Sequence, residues 1–238
     1  MRTDKRANNE LRGITFQTGY IKDEKASCLV KFGNTHLLVT ATAINSVPTY
    51  VTEGGWITAE YGMLPRSSPQ RILRERKGIS GRSTEIQRLI GRALRISCDL
   101  KKLPGITIII DADVLQADGG TRTAAITGGF IVLYIKLKEL LANNRIKHFP
   151  IKRYIASISA GIKNGEIFLD LNYIEDSNVD VDLNLVMDEK GAIIEIQGTA
   201  ERDVLSENQL IDMIEIMKNG ISKIIKIQQN VLENNGWK

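Results

Sequence analysis

Two tight-turn signals, Gly33-Asn34 and Asn164-Gly165, lie about 130 residues apart, each between runs rich in β-branched and apolar residues. Such dipeptides supply the positive φ that a short hairpin turn requires, so they constrain the chain to pair strands on either side of them. Residues 26–32 and 35–41 predict one hairpin, and residues 154–162 and 166–171 predict a second. Residues 181–187 and 192–197, around Glu189-Lys190-Gly191, predict a third. Further strands are expected at residues 56–60 and 106–115.

Helical patterns follow the hairpins in both parts of the chain. In residues 84–97, behind a capping Ser83, Ile86, Leu89, Ile90, Ala93 and Leu94 form one stripe, with Arg88, Arg92 and Arg95 mainly opposite. Residues 121–141 predict a long apolar helix whose Thr123, Ala124, Ala125, Gly128 and Gly129 permit close approach to a sheet. Ser206 and Gln209 fit a capping box opening a helix with Leu210, Met213, Ile214 and Met217 inward, closed by Asn219-Gly220; a last helix covers about residues 221–231. Hairpins then helix pairs, twice over, predict an α+β chain and argue against a doubly wound parallel sheet. One domain of two pseudo-equivalent halves, about residues 1–142 and 150–238, is expected.

Composition narrows the function. With 42% hydrophobic and 25% charged residues, the chain of 238 residues is rich enough in apolar groups to bury a core. The most apolar run, residues 128–137, is broken by Lys136 and ends at Lys138, short of bilayer length, so no membrane association is expected. The opening MRTDKRANNELRG has charges but no apolar core, and Cys28 and Cys98 read as two buried free thiols, which together predict a cytoplasmic protein. Between Arg66 and Lys102 there are 11 Lys or Arg against 3 Asp or Glu. That local surplus of 8 in a chain of net charge +4 leaves −4 for the remainder, a segregation that suits either a polyanion such as RNA or a solvated basic face. Much of it lies in residues 62–81, an Arg-, Ser- and Pro-containing stretch without apolar period, which predicts a long surface loop. His36 and His148 are too isolated for a zinc site, and no nucleophile elbow is present.

Two motifs bear on chemistry. Gln116-Ala-Asp-Gly-Gly-Thr-Arg-Thr-Ala124 ends a strand and opens a helix. Gly119 and Gly120 let the backbone turn so that first-turn amides point at one small anion, with Thr121, Thr123 and the Arg122 fork as further donors. Neither standard nucleotide-binding pattern is present, and the size suits one phosphate group. Taken alone, the motif equally describes a helix cap with a surface arginine, or an Arg122–Asp118 ion pair. The second motif is Leu171-Asn-Tyr-Ile-Glu-Asp-Ser-Asn-Val-Asp-Val-Asp-Leu-Asn184. On a strand, Asp180 and Asp182 share a face with Asn184, and Asp176 can fold back toward them. Nothing basic lies between Leu171 and Met187, so these acids must find countercharge in a distant segment or in a ligand such as Mg²⁺.

With these motifs in hand, the sequence resembles the ribonuclease PH family along essentially its whole length. The resemblance rests on Asn9-Glu-Leu-Arg12, Gly55-Trp-Ile-Thr-Ala-Glu-Tyr-Gly-Met-Leu-Pro-Arg66, Ser80-Gly-Arg-Ser-Thr-Glu-Ile-Gln-Arg-Leu-Ile-Gly-Arg92, the Gln116–Ala124 motif, Glu175-Asp-Ser177 and Glu195-Ile-Gln-Gly-Thr-Ala200. It implies a duplicated fold of the ribosomal protein S5 domain 2-like kind and a ring-shaped homo-hexamer, a trimer of dimers. The implied activity is phosphate-dependent 3′→5′ trimming of tRNA precursors and other RNA 3′ ends, releasing nucleoside 5′-diphosphates with Mg²⁺ as cofactor and inorganic phosphate as co-substrate. By the same resemblance Arg82, Gly120, Thr121 and Arg122 bind phosphate, Asp176 and Asp182 are catalytic and hold the metal, and Arg66, Arg71 and Arg74 guide RNA. The chain departs from the family at Asp4-Lys-Arg-Ala7, where Asp-Gly-Arg-Ala is usual, and its loops before Trp56 and Arg82 look shortened. A ring subunit that only binds RNA and a metal-dependent hydrolase using water are the rival classes; the first commonly lacks the loop or the acidic pair.

Overall fold

The computed structural model describes Arg2, residues 4–75 and residues 78–237; Arg76 and Lys77 of the expected basic loop lie outside the described residues. The first sheet contains β1 (Ile14–Thr18), β2 (Ser27–Phe32), β3 (Thr35–Ile44), β4 (Trp56–Met63) and β5 (Thr107–Gln116), in the order β1-β2-β3-β5-β4. All neighbours are antiparallel except β4 and β5, which run parallel because α1 (Gly81–Ser97) carries the chain over between them. The second sheet contains β6 (Ile155–Lys163), β7 (Glu166–Leu169), β8 (Val181–Asp188) and β9 (Ile193–Ala200), antiparallel throughout in the order β7-β6-β8-β9. The Asn164-Gly165 turn has φ of 51° and 77°, the left-handed pair that its sequence requires. Among the described residues no helix is long and apolar enough to cross a membrane.

The long helix α2 (Thr121–Ala142) packs against β2, β3 and β5 of one sheet and β6 of the other, so it is apolar on nearly every side. Gly128 lets it sit on the first sheet: a Cβ there would lie 2.4 Å from Val30 Cγ2. Cys28 and Cys98 are free and buried as expected, and burial pushes both thiols up to about 12, which keeps them protonated.

Four local expectations are corrected. The two C-terminal helices are one helix, α4 (Glu207–Asn234), running straight through Asn219-Gly220. Gly220 is there for contact, not for a stop: a Cβ would be 3.1 Å from Leu169 Cδ2 and 3.4 Å from Leu11 Cδ2. Helix α1 begins at Gly81 with Ser80 as its cap, whereas Ser83 is buried and donates to Glu75 Oε1 at 2.8 Å. Strand β1, which no expectation covered, is a five-residue edge strand with only Ile14 and Phe16 apolar, too short a pattern to stand out. One further turn of helix, α3 (Tyr173–Asp176), stands in the acidic segment; its cap is a full capping box of Asn172 and Glu175, an Asn-x-x-Glu spacing that sequence reading could have used.

Candidate active site

The phosphate-type loop turns as its glycines require. Gly119 and Gly120 both have left-handed φ, 75° and 68°, and α2 starts immediately after them with no side-chain cap. The amides of Gly120, Thr121 and Arg122 have no acceptor in the helix behind them. Gly119 also meets the other half of the molecule: a Cβ would stand 2.6 Å from the Leu171 carbonyl oxygen and 2.9 Å from the Tyr173 nitrogen. Asp118 Oδ1 accepts from that same Tyr173 amide at 3.2 Å. The loop is thereby fixed to the first residue of α3, three positions before Asp176.

Arg82, Gly120, Thr121, Arg122 and Asp176 line one cleft of about 770 Å³, with Asn184 from β8 beside them. Arg82 comes from the first turn of α1 and Arg122 from the first turn of α2, so two helix N-termini add their partial positive charge to two guanidinium groups. Tyr61 is buried between them and exchanges a 2.8 Å hydrogen bond with Thr121 Oγ1; desolvation raises its phenol, while Arg82 and Arg122 pull the other way. Arg122 makes no pair with Asp118. Its Nη1 donates to Gln197 Oε1 at 3.4 Å, a long bond that leaves the fork available. Sequence reading missed Tyr61 and Gln197; alternation along β4 and β9 carried no mark that distinguished them from their neighbours.

The acids do find their countercharge in a distant segment. Asp176 is reached by solvent at the cleft mouth, yet crowding on its other sides desolvates it and raises its carboxyl above the usual range, against the pull of Arg122 and Arg82. Asp182, which pairs across β8 with Gly161 and Thr199, is raised by burial, then by Asp176 and Glu201, with Arg122 opposing. Asp180 does not join them: its carboxylate accepts from the Asn164 amide at 3.0 Å and so closes the β6–β7 turn. Among the described residues no group of three or more His, Cys, Asp or Glu is arranged to hold a metal. Even with these arginines near, two carboxylates whose ionised form burial disfavours, set beside a phosphate-type loop, suit Mg²⁺, which keeps water and takes the rest of its oxygens from substrate phosphates.

The loop arginines separate. Arg74 lines the cleft, Arg66 lines a neighbouring cleft with Arg6 and Arg12, and Arg71 is exposed on the loop between them. The base of this loop is anchored beside the phosphate-type loop, since Ala117 N donates to the Ser67 carbonyl at 2.7 Å.

Comparison with known proteins shows the family and the fold. Residues 10–135 match domain 1 of the 3′ exoribonuclease family (RNase PH), and residues 153–220 match its domain 2. Ribonuclease PH of Synechococcus sp. (strain JA-2-3B'a(2-13)) is 46% identical over 236 residues, covering 97% of each chain. Among solved structures, rice (Oryza sativa) Rrp46 superposes with a TM-score of 0.77 at 21% identity, over 97% of this chain and 100% of that one. The Archaeoglobus fulgidus exosome with RNA bound to the active site gives 0.79 at 20% identity, over 94% and 91%. At such identities these two establish the duplicated exosome-core fold, and the sequence matches establish the family. The chain belongs to the 3′ exoribonuclease family, in its phosphorolytic ribonuclease PH branch.

Proposed function

We propose that this cleft removes nucleotides from the 3′ ends of tRNA precursors and other RNAs by phosphorolysis, with residues of both halves acting as one domain. What carries the reading is the meeting in one cleft of two guanidinium groups and a helix start from the first half with Asp176 from the second, with Asp182 close enough to interact with Asp176 and Arg122. Arg82, Arg122 and the Gly120–Thr121 backbone hold inorganic phosphate. They offset its repulsion with the RNA backbone and fix one oxygen in line with the leaving 3′ oxygen. The new bond joins that oxygen to the terminal phosphorus as the bond to the 3′ oxygen breaks. A nucleoside 5′-diphosphate and a shortened RNA result, and the proton that hydrogen phosphate brings in leaves on the 3′ hydroxyl.

Asp176 and Asp182 hold Mg²⁺, which when bound supplies positive charge to the scissile phosphoryl group. Their raised carboxyls fit this role, because a nearby cation favours the ionised form that burial and mutual repulsion disfavour. Arg66, Arg71 and Arg74 neutralise backbone phosphates of the incoming strand. The enzyme works in the cytoplasm, where its two buried thiols stay reduced. It assembles as a homo-hexamer, a trimer of dimers, which gives the RNA a ring to enter.

The test is to incubate RNA with Mg²⁺, with and without phosphate, and identify the products. Diphosphates that appear only with phosphate are the expected outcome. Monophosphates in both conditions would mean hydrolysis, and intact RNA with binding would mean a silent ring subunit; either result overturns the proposal. Sedimentation of the purified protein reads the assembly directly, and a monomer at working concentration contradicts the ring.

A further inference from the structure

Arg12 is assigned to neither phosphate, RNA nor cation, yet it holds the phosphate-type loop on one side and Asp170 on the other. It lies just before β1, and its side chain is only 5% exposed. Nη1 donates to the Asp118 carbonyl at 2.6 Å, and both terminal nitrogens approach the Gly119 carbonyl at 3.4 Å. Nη2 also donates to Asp170 Oδ1 at 2.7 Å. Thr35, at the start of β3, holds the same loop: its hydroxyl donates to the Gly119 carbonyl at 2.7 Å and accepts from the Asp118 amide at 3.0 Å.

The peptide plane converts these bonds into direction. In a trans peptide the N–H points opposite the C=O. Carbonyls of Asp118 and Gly119 drawn toward Arg12 and Thr35 therefore turn the amides of Gly119 and Gly120 the other way, and both glycines line the cleft of Arg122 and Asp176. A left-handed Gly120 followed by helical Thr121 is also the pairing that gathers successive amides into an anion-binding nest.

Asp170 is the far anchor. It is fully buried and holds a left-handed φ of 56°, a strained conformation for a residue with a Cβ that persists only where its surroundings enforce it. Its carboxylate accepts from the Arg12 backbone amide as well as the guanidinium, and its carbonyl accepts from Arg2 at 3.1 Å. Arg2 is buried in turn and grips both carboxylate oxygens of Glu175 at 2.7 Å. Glu175 completes the capping box of α3 with the cap residue Asn172, and is the neighbour of Asp176. An unbroken run of charge-assisted bonds thus joins the loop to the acidic turn. A salt bridge that only fastened the halves together would have no need of two loop carbonyls.

We propose that Arg12 is a positioning residue for the phosphate nucleophile: it aims the loop amides into the cleft and, through Asp170, Arg2 and Glu175, sets that aim relative to Asp176. This rests on the reading of Gly120–Arg122 as the phosphate site. The experiment is steady-state phosphorolysis by the full chain, with phosphate varied at saturating RNA and RNA varied at saturating phosphate. Arg12→Lys keeps the charge, but one compact ammonium cannot span the loop and Asp170 together. Its phosphate KM should rise about tenfold, the loss expected of one charge-assisted bond, with the KM for RNA within about twofold. Thr35→Val, close to isosteric, should raise the phosphate KM in the same direction without touching the ion network.

Wild-type phosphate KM in both variants, while Arg122→Ala raises it, overturns the proposal and leaves the phosphate-site reading standing. A uniform loss in kcat and both KM values that follows the melting temperature also overturns it. An unchanged phosphate KM in Arg122→Ala removes the phosphate-site reading itself, and the positioning role with it.

Discussion

Replacing Gly119 by alanine should push the two halves apart where the site joins them. Its φ of 75° costs an L-residue about 1–2 kcal/mol. The added Cβ would stand 2.6 Å from the Leu171 carbonyl oxygen, 2.7 Å from the Asn172 carbonyl carbon and 2.9 Å from the Tyr173 nitrogen. All three are backbone atoms, so no rotamer change relieves the overlap and residues 171–173 must move, a further ~1–3 kcal/mol. The sum, about 2–5 kcal/mol, corresponds to a fall in Tm of roughly 4–20 °C for a chain of this size. Gly165→Ala is the control: its φ is 77°, but nothing lies within 4 Å of the new Cβ, so it should lose only the ~1–2 kcal/mol of backbone strain. Thermal melting of both variants, with phosphate-saturation kinetics below both transitions, separates strain from contact. Because a displacement of about 1 Å at a reacting group can cost ~100-fold, Gly119→Ala should also raise the phosphate KM or depress kcat well beyond Gly165→Ala. Equal Tm losses in the two variants, or wild-type kinetics in Gly119→Ala, would refute the reasoning.

Arg122→Ala should raise the phosphate KM by about 10- to 100-fold, the worth of one or two charge-assisted hydrogen bonds, while RNA affinity measured without phosphate changes far less. Asp182→Asn should abolish turnover and, in metal-free buffer, raise Tm at neutral pH. The sign follows from its raised carboxyl: the folded chain binds that proton more tightly, so the stability due to protonation is held at low pH and lost as pH rises through the folded pKa. The Tm gap between variant and parent should accordingly close below about pH 4, where both states are protonated, and a gap that widens there would contradict the assignment. Lys5→Gly should stabilise the chain by about 0.5–1 kcal/mol, because Lys5 sits at a φ of 65° and glycine's relief there exceeds its added chain entropy; chemical denaturation measures it.

The sequence by itself determined what is settled within a few residues along the chain. Asn164-Gly165 made its turn, Ser206 and Gln209 made their capping box, and Gly119-Gly120 turned left-handed before a helix, because φ preferences and i→i+3 contacts involve only near neighbours. Resemblance to a known family named the rest of the candidate site without explaining why Arg82, Arg122 and Asp176 meet in one cleft. Tertiary structure alone decided that Asn219-Gly220 continues a helix, since Leu169 and Leu11 occupy the space beside Gly220. It also decided that Arg82 and Arg122 both answer Asp176 while Arg122 answers Asp182 as well, and that Arg12 fastens Asp118 to Asp170 across more than a hundred residues of chain. Burial, desolvation and charge pairing depend on which distant surfaces pack together, and no local pattern carries that information.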